Sequence, residues 1–168
     1  REQTLERTVD FCGRYLNAAR HGSSKLKASW LERSTDVSWP LIWQDPEGPP
    51  EELQAFGHSP SGVPLFPFNR NAINALADHY CSNDEELNFN PRQVLNQVVL
   101  RVLRDHRQAC QEHRFPPADF ASIKAGAGLI DLYRLDEPAR CESLAAIWGY
   151  GCRSVAELQQ NMDWRIAN

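Results

Sequence analysis

The chain has 168 residues, enough for one domain with a substantial core. Its formal net charge of -4 argues against a dominant non-specific nucleic-acid surface, while leaving room for a local basic patch. No apolar run approaches the roughly 20 residues a membrane span needs, and the five widely spaced cysteines lack a C-x-x-C pair, so buried thiols in a reducing cytoplasm fit better than a disulfide framework or zinc site.

The chain begins at Arg1 without Met, shows no signal-peptide pattern and enters a helical repeat at once, which suggests a fragment of a longer protein. Leu5, Val9, Cys12, Leu16 and Ala19 recur at three- and four-residue spacing and predict an amphipathic helix to Arg20, ended by Gly22. Ser24 is placed to cap a second, shorter helix through Ala28–Glu32. Residues 36–64 then change character. Trp39-Pro40, Asp45-Pro46, Gly48-Pro49-Pro50 and Ser59-Pro60 punctuate an irregular stretch, with one or two helical turns expected over Glu51–Phe56. Trp39, Leu41, Ile42 and Trp43 need apolar surroundings. The stretch is read either as an arm packed on its own domain or as a docking surface for a partner, with Trp39 and Trp43 as the docking candidates.

Val63–Phe68 is short, apolar and extended, and its prolines keep it out of a central strand. Asn69 or Asn71 caps a helix through Tyr80, followed by the polar loop Ser82–Glu86. The strongest helical signal runs from Pro91 to about His113, with Val94, Leu95, Val98, Val99, Val102, Leu103, His106, Ala109 and Cys110 on one wide apolar face. Asn90 is its N-cap, Pro91 suits the first helical position, and Gln93 is spaced to reach back to the cap. Phe115-Pro116-Pro117 stops the helix, and residues 118–128 connect onward. Leu129–Leu135 alternates like a strand but lies in helical surroundings, and is read as helix. Asp136 caps a helix through Trp148, Gly149-Tyr150-Gly151 turns the chain, and Ser154 with Glu157 forms a capping box for a last helix to about Met162. The fold class is mainly α. A division into 1–64 and 65–168 separates the N-terminal helices and arm from a helical bundle, within one compact domain overall.

No Walker A loop, G-x-S-x-G, H-E-x-x-H or kinase signature is present, so no catalytic residue and no metal ligand is assigned. His79 and His106 read as core or boundary residues. Arg92 is the anomaly: a cation in the first turn of a helix opposes the helix dipole, so it needs either a carboxylate, with Asp84, Glu85 and Glu86 nearby, or an anionic ligand. Arg70 occupies the same kind of position in the preceding helix, and the two starts could face one ligand. Cys141–Gln160 fits a helix-turn-helix frame, with Ala145, Gly149 and Val155 at its fifth, ninth and fifteenth places. Arg153, Gln159 and Gln160 of that frame are offset by Glu157 and Asp163, and Arg101, Arg104 and Arg107 of the long helix join Arg153 as DNA-binding candidates.

The run Gly62-Val63-Pro64-Leu65-Phe66-Pro67-Phe68-Asn69-Arg70-Asn71-Ala72-Ile73, followed by Phe89-Asn90-Pro91-Arg92 opening a long helix, resembles the helical lid of AAA-type P-loop ATPases. Phe56-Gly57, Leu65–Asn69 and Phe115-Pro116-Pro117-Ala118-Asp119-Phe120 are similar to the DptF-like ATPases of bacterial DNA phosphorothioation-dependent restriction, with BrxC-like phage-defence P-loop proteins a looser match. The resemblance covers about residues 55–120. It implies a helical lid-type bundle in a cytoplasmic ATPase that couples nucleotide state to other subunits of a restriction or defence complex, and through them to DNA. It also implies ATP and Mg as cofactors of the parent protein, Arg92 as a γ-phosphate sensor beside its cap Asn90, and a secondary or intersubunit part for Arg70. The Walker lysine, Walker acid and supporting sheet would precede Arg1, so the fragment alone would hydrolyse no ATP. An interaction module and a helix-turn-helix-like DNA-binding domain are the alternatives.

Overall fold

The computed structural model describes residues 1–32, 39–44, 48, 51–83, 86–112, 114–117, 120–125, 137–154 and 156–158. The fold is mainly α. Helix α1, Glu2–His21, buries Leu5, Thr8, Val9, Cys12, Gly13, Leu16 and Asn17 and ends at Gly22, whose φ of 76° a side chain would resist. The apolar stripe stops short of Ala19, which is exposed. Instead Arg20 turns inward and donates to the carbonyls of Pro64 and Phe66, both at 2.8 Å. Helix α2, Ser23–Glu32, starts one residue before the cap expected at Ser24 and buries no side chain.

After α2 the described residues 39–44 and 48 are irregular. Helix α3, Glu51–Gln54, is a single turn. A tight reversal follows, in which Ser59 N–H donates to the Val63 carbonyl and Gly62 N–H to that of Ser59. Gly13 lets this reversal approach α1, because a Cβ there would lie 2.7 Å from Cβ of Ser59. The reversal delivers Val63, Leu65 and Phe68 into the core.

Helix α4, Arg70–Cys81, is capped by Asn69, whose Oδ1 accepts the N–H of Ala72 at 2.7 Å. It buries Ala72, Ile73, Ala75, Leu76, Ala77 and Cys81 and packs against α1. The loop after it closes as a two-residue antiparallel pair, β1 Ser82–Asn83 with β2 Glu86–Leu87. The chain then turns back along α4. Its long helix opens with α5, Pro91–Gln93, widens into π-helical winding over Val94–Val99 and Arg101–Asp105, and closes with α6, Arg107–Gln111. The sequence predicts plain α-helix here. Val94, Val98 and Val102, branched at Cβ, recur at four-residue spacing through this winding. These three and Val99 are fully buried, contributing roughly 1.5–3 kcal/mol apiece before entropy is subtracted. The apolar face is shorter than the sequence suggests: α6 buries nothing, and Cys110 is exposed.

Helix α7, Pro138–Ile147, packs on α4 and has Pro138 in its first turn; its N-cap position is Glu137, not Asp136, and Asp136 lies outside the described residues. Trp148 ends it and sits at the centre of an aromatic cluster with Phe115 and Phe120, which His106 flanks. One core runs from Leu5 in α1 to Leu158, so the boundary at residue 64 separates no independent cores. The expected helix at Leu129–Leu135 falls outside the described residues.

After the Gly149–Gly151 turn, Ser154 Oγ accepts the N–H of Glu157 at 3.2 Å, while the Glu157 carboxylate returns to the N–H of Arg153 instead of Ser154. Gly149 is required by contact: an added Cβ would lie 2.1 Å from Leu158 Cδ1 and 2.8 Å from the Ala145 carbonyl oxygen. Leucine can rotate, but a helix carbonyl cannot. Gly149→Ala is therefore expected to cost about 1–3 kcal/mol in urea unfolding, the usual penalty of overpacking.

Candidate functional site

The start of the long helix is a built corner. Asn90 is extended, at φ -116° and ψ 106°, and its Oδ1 accepts the N–H groups of Arg92 at 3.1 Å and Gln93 at 3.2 Å. Gln93 does not reach back to complete a capping box. Its Nε2 donates to the carbonyl of Tyr80 at 2.5 Å, one of the carbonyls that the end of α4 leaves without a helical partner. Arg92 is exposed, and among the described residues no carboxylate pairs with it. Glu86 makes no ion pair with it, and Asp84 and Glu85 lie outside the described residues.

Just before the cap, Phe89 meets Phe11 edge-on at 5.7 Å between centroids, and the Arg7 guanidinium carbon sits 4.2 Å from the Phe89 centroid. Arg7 is thus a second exposed cation at this corner. The sequence gives it no local signal. Arg7 and Phe11 share a face of α1 at four-residue spacing, but the ring they meet comes from the far side of the chain.

Arg70 is placed elsewhere. Its guanidinium pairs with Glu2 at 2.6 Å and Glu6 at 2.5 Å on α1. That hydrogen bond and charge pull the Glu6 carboxyl below its ordinary range and raise Arg70. Arg70 opens α4, whereas Asn90–Gln93 sit beside its last turn. Ten residues of α-helix, about 15 Å along its axis, separate Arg70 from Tyr80, the residue Gln93 meets. The two helix starts therefore do not face one ligand.

The other candidates are dispersed. Arg101 lies over the Tyr80 ring, 4.8 Å from its centroid, and Arg104 pairs with Asp105 at 2.8 Å. Arg107 and Arg153 are exposed. The connection between α7 and the helix capped at Ser154 spans Gly149–Arg153, longer than the 3–4 residues usual in helix-turn-helix units. Val155 and residues 159–160 of that frame lie outside the described residues.

Trp39 and Trp43 belong to a segment strapped across α1. Asn17, 3% exposed, donates through Nδ2 to the Leu41 carbonyl at 3.0 Å and accepts through Oδ1 from the Trp43 N–H at 2.8 Å. His21 Nε2 lies 2.8 Å from the same Leu41 carbonyl. Trp39 stacks edge-on with Trp30 of α2 at 4.9 Å and donates through Nε1 to Ser29 Oγ. Outward, Leu41, Ile42, Trp30 and Leu31 remain exposed, Leu31 at 85%.

The motif Leu65–Asn69 turns out to be a structural hub. Leu65 and Phe68 are buried, the Pro67 carbonyl accepts Trp148 Nε1 at 3.0 Å, and Asn69 Nδ2 donates to the Trp148 carbonyl at 3.0 Å. Of the thiols, Cys12, Cys81 and Cys152 are buried, with Cys12 pushed up to about 12 by burial and by neighbouring Cys81. Among the described residues no group of three or more His, Cys, Asp or Glu is arranged to hold a metal ion, and no helix is long and apolar enough to cross a membrane.

No protein family, curated protein or solved structure matches this chain.

Proposed function

We propose that this chain is the helical lid of an AAA-type ATPase that serves DNA restriction or phage defence, and that Arg92 meets the terminal phosphate of bound ATP. The observation that carries the reading is Arg92 itself. It stands exposed in the first turn of a firmly capped helix, with no carboxylate partner among the described residues, where the helix dipole favours an anion. A guanidinium in that place suits a phosphate oxygen, which it can grip with two parallel hydrogen bonds. Bound ATP would supply an anion for Arg92, and loss of the γ-phosphate would release it. That differential contact is what a nucleotide-driven shift of a lid requires. The reading assigns Mg binding and the catalytic groups to the P-loop part of the parent protein. Arg70, held by Glu2 and Glu6, acts in it as a brace between α1 and α4.

Arg92→Ala in the full-length protein is expected to lower ATP turnover about ten- to a hundredfold, the range of one hydrogen bond to a charged group. Its thermal midpoint should stay near that of the parent. Unchanged turnover would overturn the lid reading.

A second reading, an interaction module, draws on the exposed Trp30, Leu31, Leu41 and Ile42. It gives Arg92 no part in turnover, so the same substitution separates the two.

A further inference from the structure

Helix α2 and residues 39–44 lie against the C-terminal half of α1 and bury very little. In α2 only Leu26 is even partly covered, and in the segment only Pro40 and Trp43 are. The core face of α1 is different: Leu5, Val9, Cys12 and Leu16 are at most 7% exposed. The two outer pieces hold each other through the edge-on rings of Trp30 and Trp39 and the bond from Trp39 Nε1 to Ser29 Oγ. Their polar hold on α1 is local. Asn17 takes the Leu41 carbonyl and the Trp43 N–H, and His21 Nε2 meets the same carbonyl. Ile42 adds an apolar contact, its Cδ1 3.4 Å from where a Cβ on Gly62 would stand.

Two glycines stand on either side of these pieces in the chain. Gly22 is at φ 76° and Gly48 at φ 81°, and a Cβ on either would meet nothing within 4 Å. Such positions can change φ and ψ without displacing a neighbour. Segments with few buried apolar contacts open locally while the packed core stays closed. We propose that α2 and residues 39–44 form a cover that opens as one unit between Gly22 and Gly48, with Asn17 as its catch, while α1, α4 and the long helix stay folded. Opening bares the Asn17 amide, 3% exposed while the cover is closed, together with the covered part of Trp43. The cover works in this way whatever Arg92 meets.

The test is hydrogen exchange of the full-length protein in low urea, followed segment by segment by mass spectrometry. Segments 23–32 and 39–44 should exchange through one opening with a common urea dependence. That opening should be populated at least about tenfold more than the one that exposes Arg70–Cys81. Asn17→Leu keeps the size of the side chain and removes both polar groups. It should raise exchange in both segments about five- to a hundredfold, the span of two net hydrogen bonds, and leave Arg70–Cys81 as in the parent. If the two segments exchange only together with Arg70–Cys81, no separate cover exists. If they open with different urea dependences, they are not one unit. If Asn17→Leu leaves their exchange unchanged, or speeds Arg70–Cys81 equally, Asn17 is not the catch. Each of these results overturns the proposal. Should Asn17→Leu fail to fold, Asn17→Asp keeps the acceptor for the Trp43 N–H and loses only the donor to Leu41. A rise of about two- to tenfold confined to the two segments is then expected, and unchanged exchange overturns the catch.

Discussion

Replacing Trp148 by alanine is expected to destabilise the fold by about 3–5 kcal/mol, the range for emptying a buried large aromatic site. Trp148 is 1% exposed. Its ring meets Phe115 edge-on at 5.4 Å and Phe120 at 5.9 Å, and these two meet each other at 5.4 Å. Three elements therefore lose a common neighbour at once: the segment after the long helix, the end of α7 and the Leu65–Asn69 turn. The substitution also strips the Pro67 carbonyl of its Nε1–H donor. Trp148→Phe separates the two effects in part. It keeps an aromatic ring but loses the donor together with the volume of the second ring, so about 1–3 kcal/mol of the loss should remain. Equilibrium urea unfolding followed by circular dichroism is the suitable measurement, since the substitution removes a fluorophore. A loss below about 1 kcal/mol for Trp148→Ala would mean that the aromatic cluster does not hold these elements together.

Asn69→Ala carries the second largest cost, about 2–3 kcal/mol, because one small side chain serves two elements. Its oxygen caps α4 through the Ala72 N–H, and its amide nitrogen satisfies the Trp148 carbonyl at the end of α7. A cap contributes typically about 1 kcal/mol, and a buried carbonyl left unpaired adds a comparable or larger penalty. Asn69→Asp distinguishes the parts. It preserves an acceptor for Ala72 but turns a carboxylate oxygen toward the Trp148 carbonyl in a buried place. Asn69→Asp should therefore recover little of the stability lost by Asn69→Ala. Near-complete recovery would show that Asn69 acts as a cap and nothing more.

These two residues also mark where sequence reasoning reaches and where it ends. The cap at Asn90, a cap at Asn69 or Asn71, the stop at Gly22 and the mainly helical class were legible because each depends on residues a few positions apart. The second half of the work done by Asn69 was not, since its partner lies 79 residues away and a carbonyl has no sequence signature. Arg70 shows the same limit: its carboxylates come from α1, not from the polar loop beside it. Gln93 has the spacing of a capping-box residue, yet the orphan carbonyl of Tyr80 outcompetes the cap. The π-helical winding did not show in the sequence, where the spacing of the valines reads as plain α-helix. Arg92 was legible as an anomaly of charge in the wrong dipole field. Arg7, meeting Phe89 through tertiary packing, was not.

The strap across α1 carries a different consequence. Asn17 grips a carbonyl and an N–H, groups that every residue but proline presents, and leaves the side chains of Leu41 and Ile42 outside the grip. The path of this segment is therefore set independently of its outward chemistry. Position 41, whose side chain is the more exposed of the two, can exchange one side chain for another while the backbone holds its course, whereas Ile42 also reaches Gly62 with its Cδ1 and is bound to the fold beneath it.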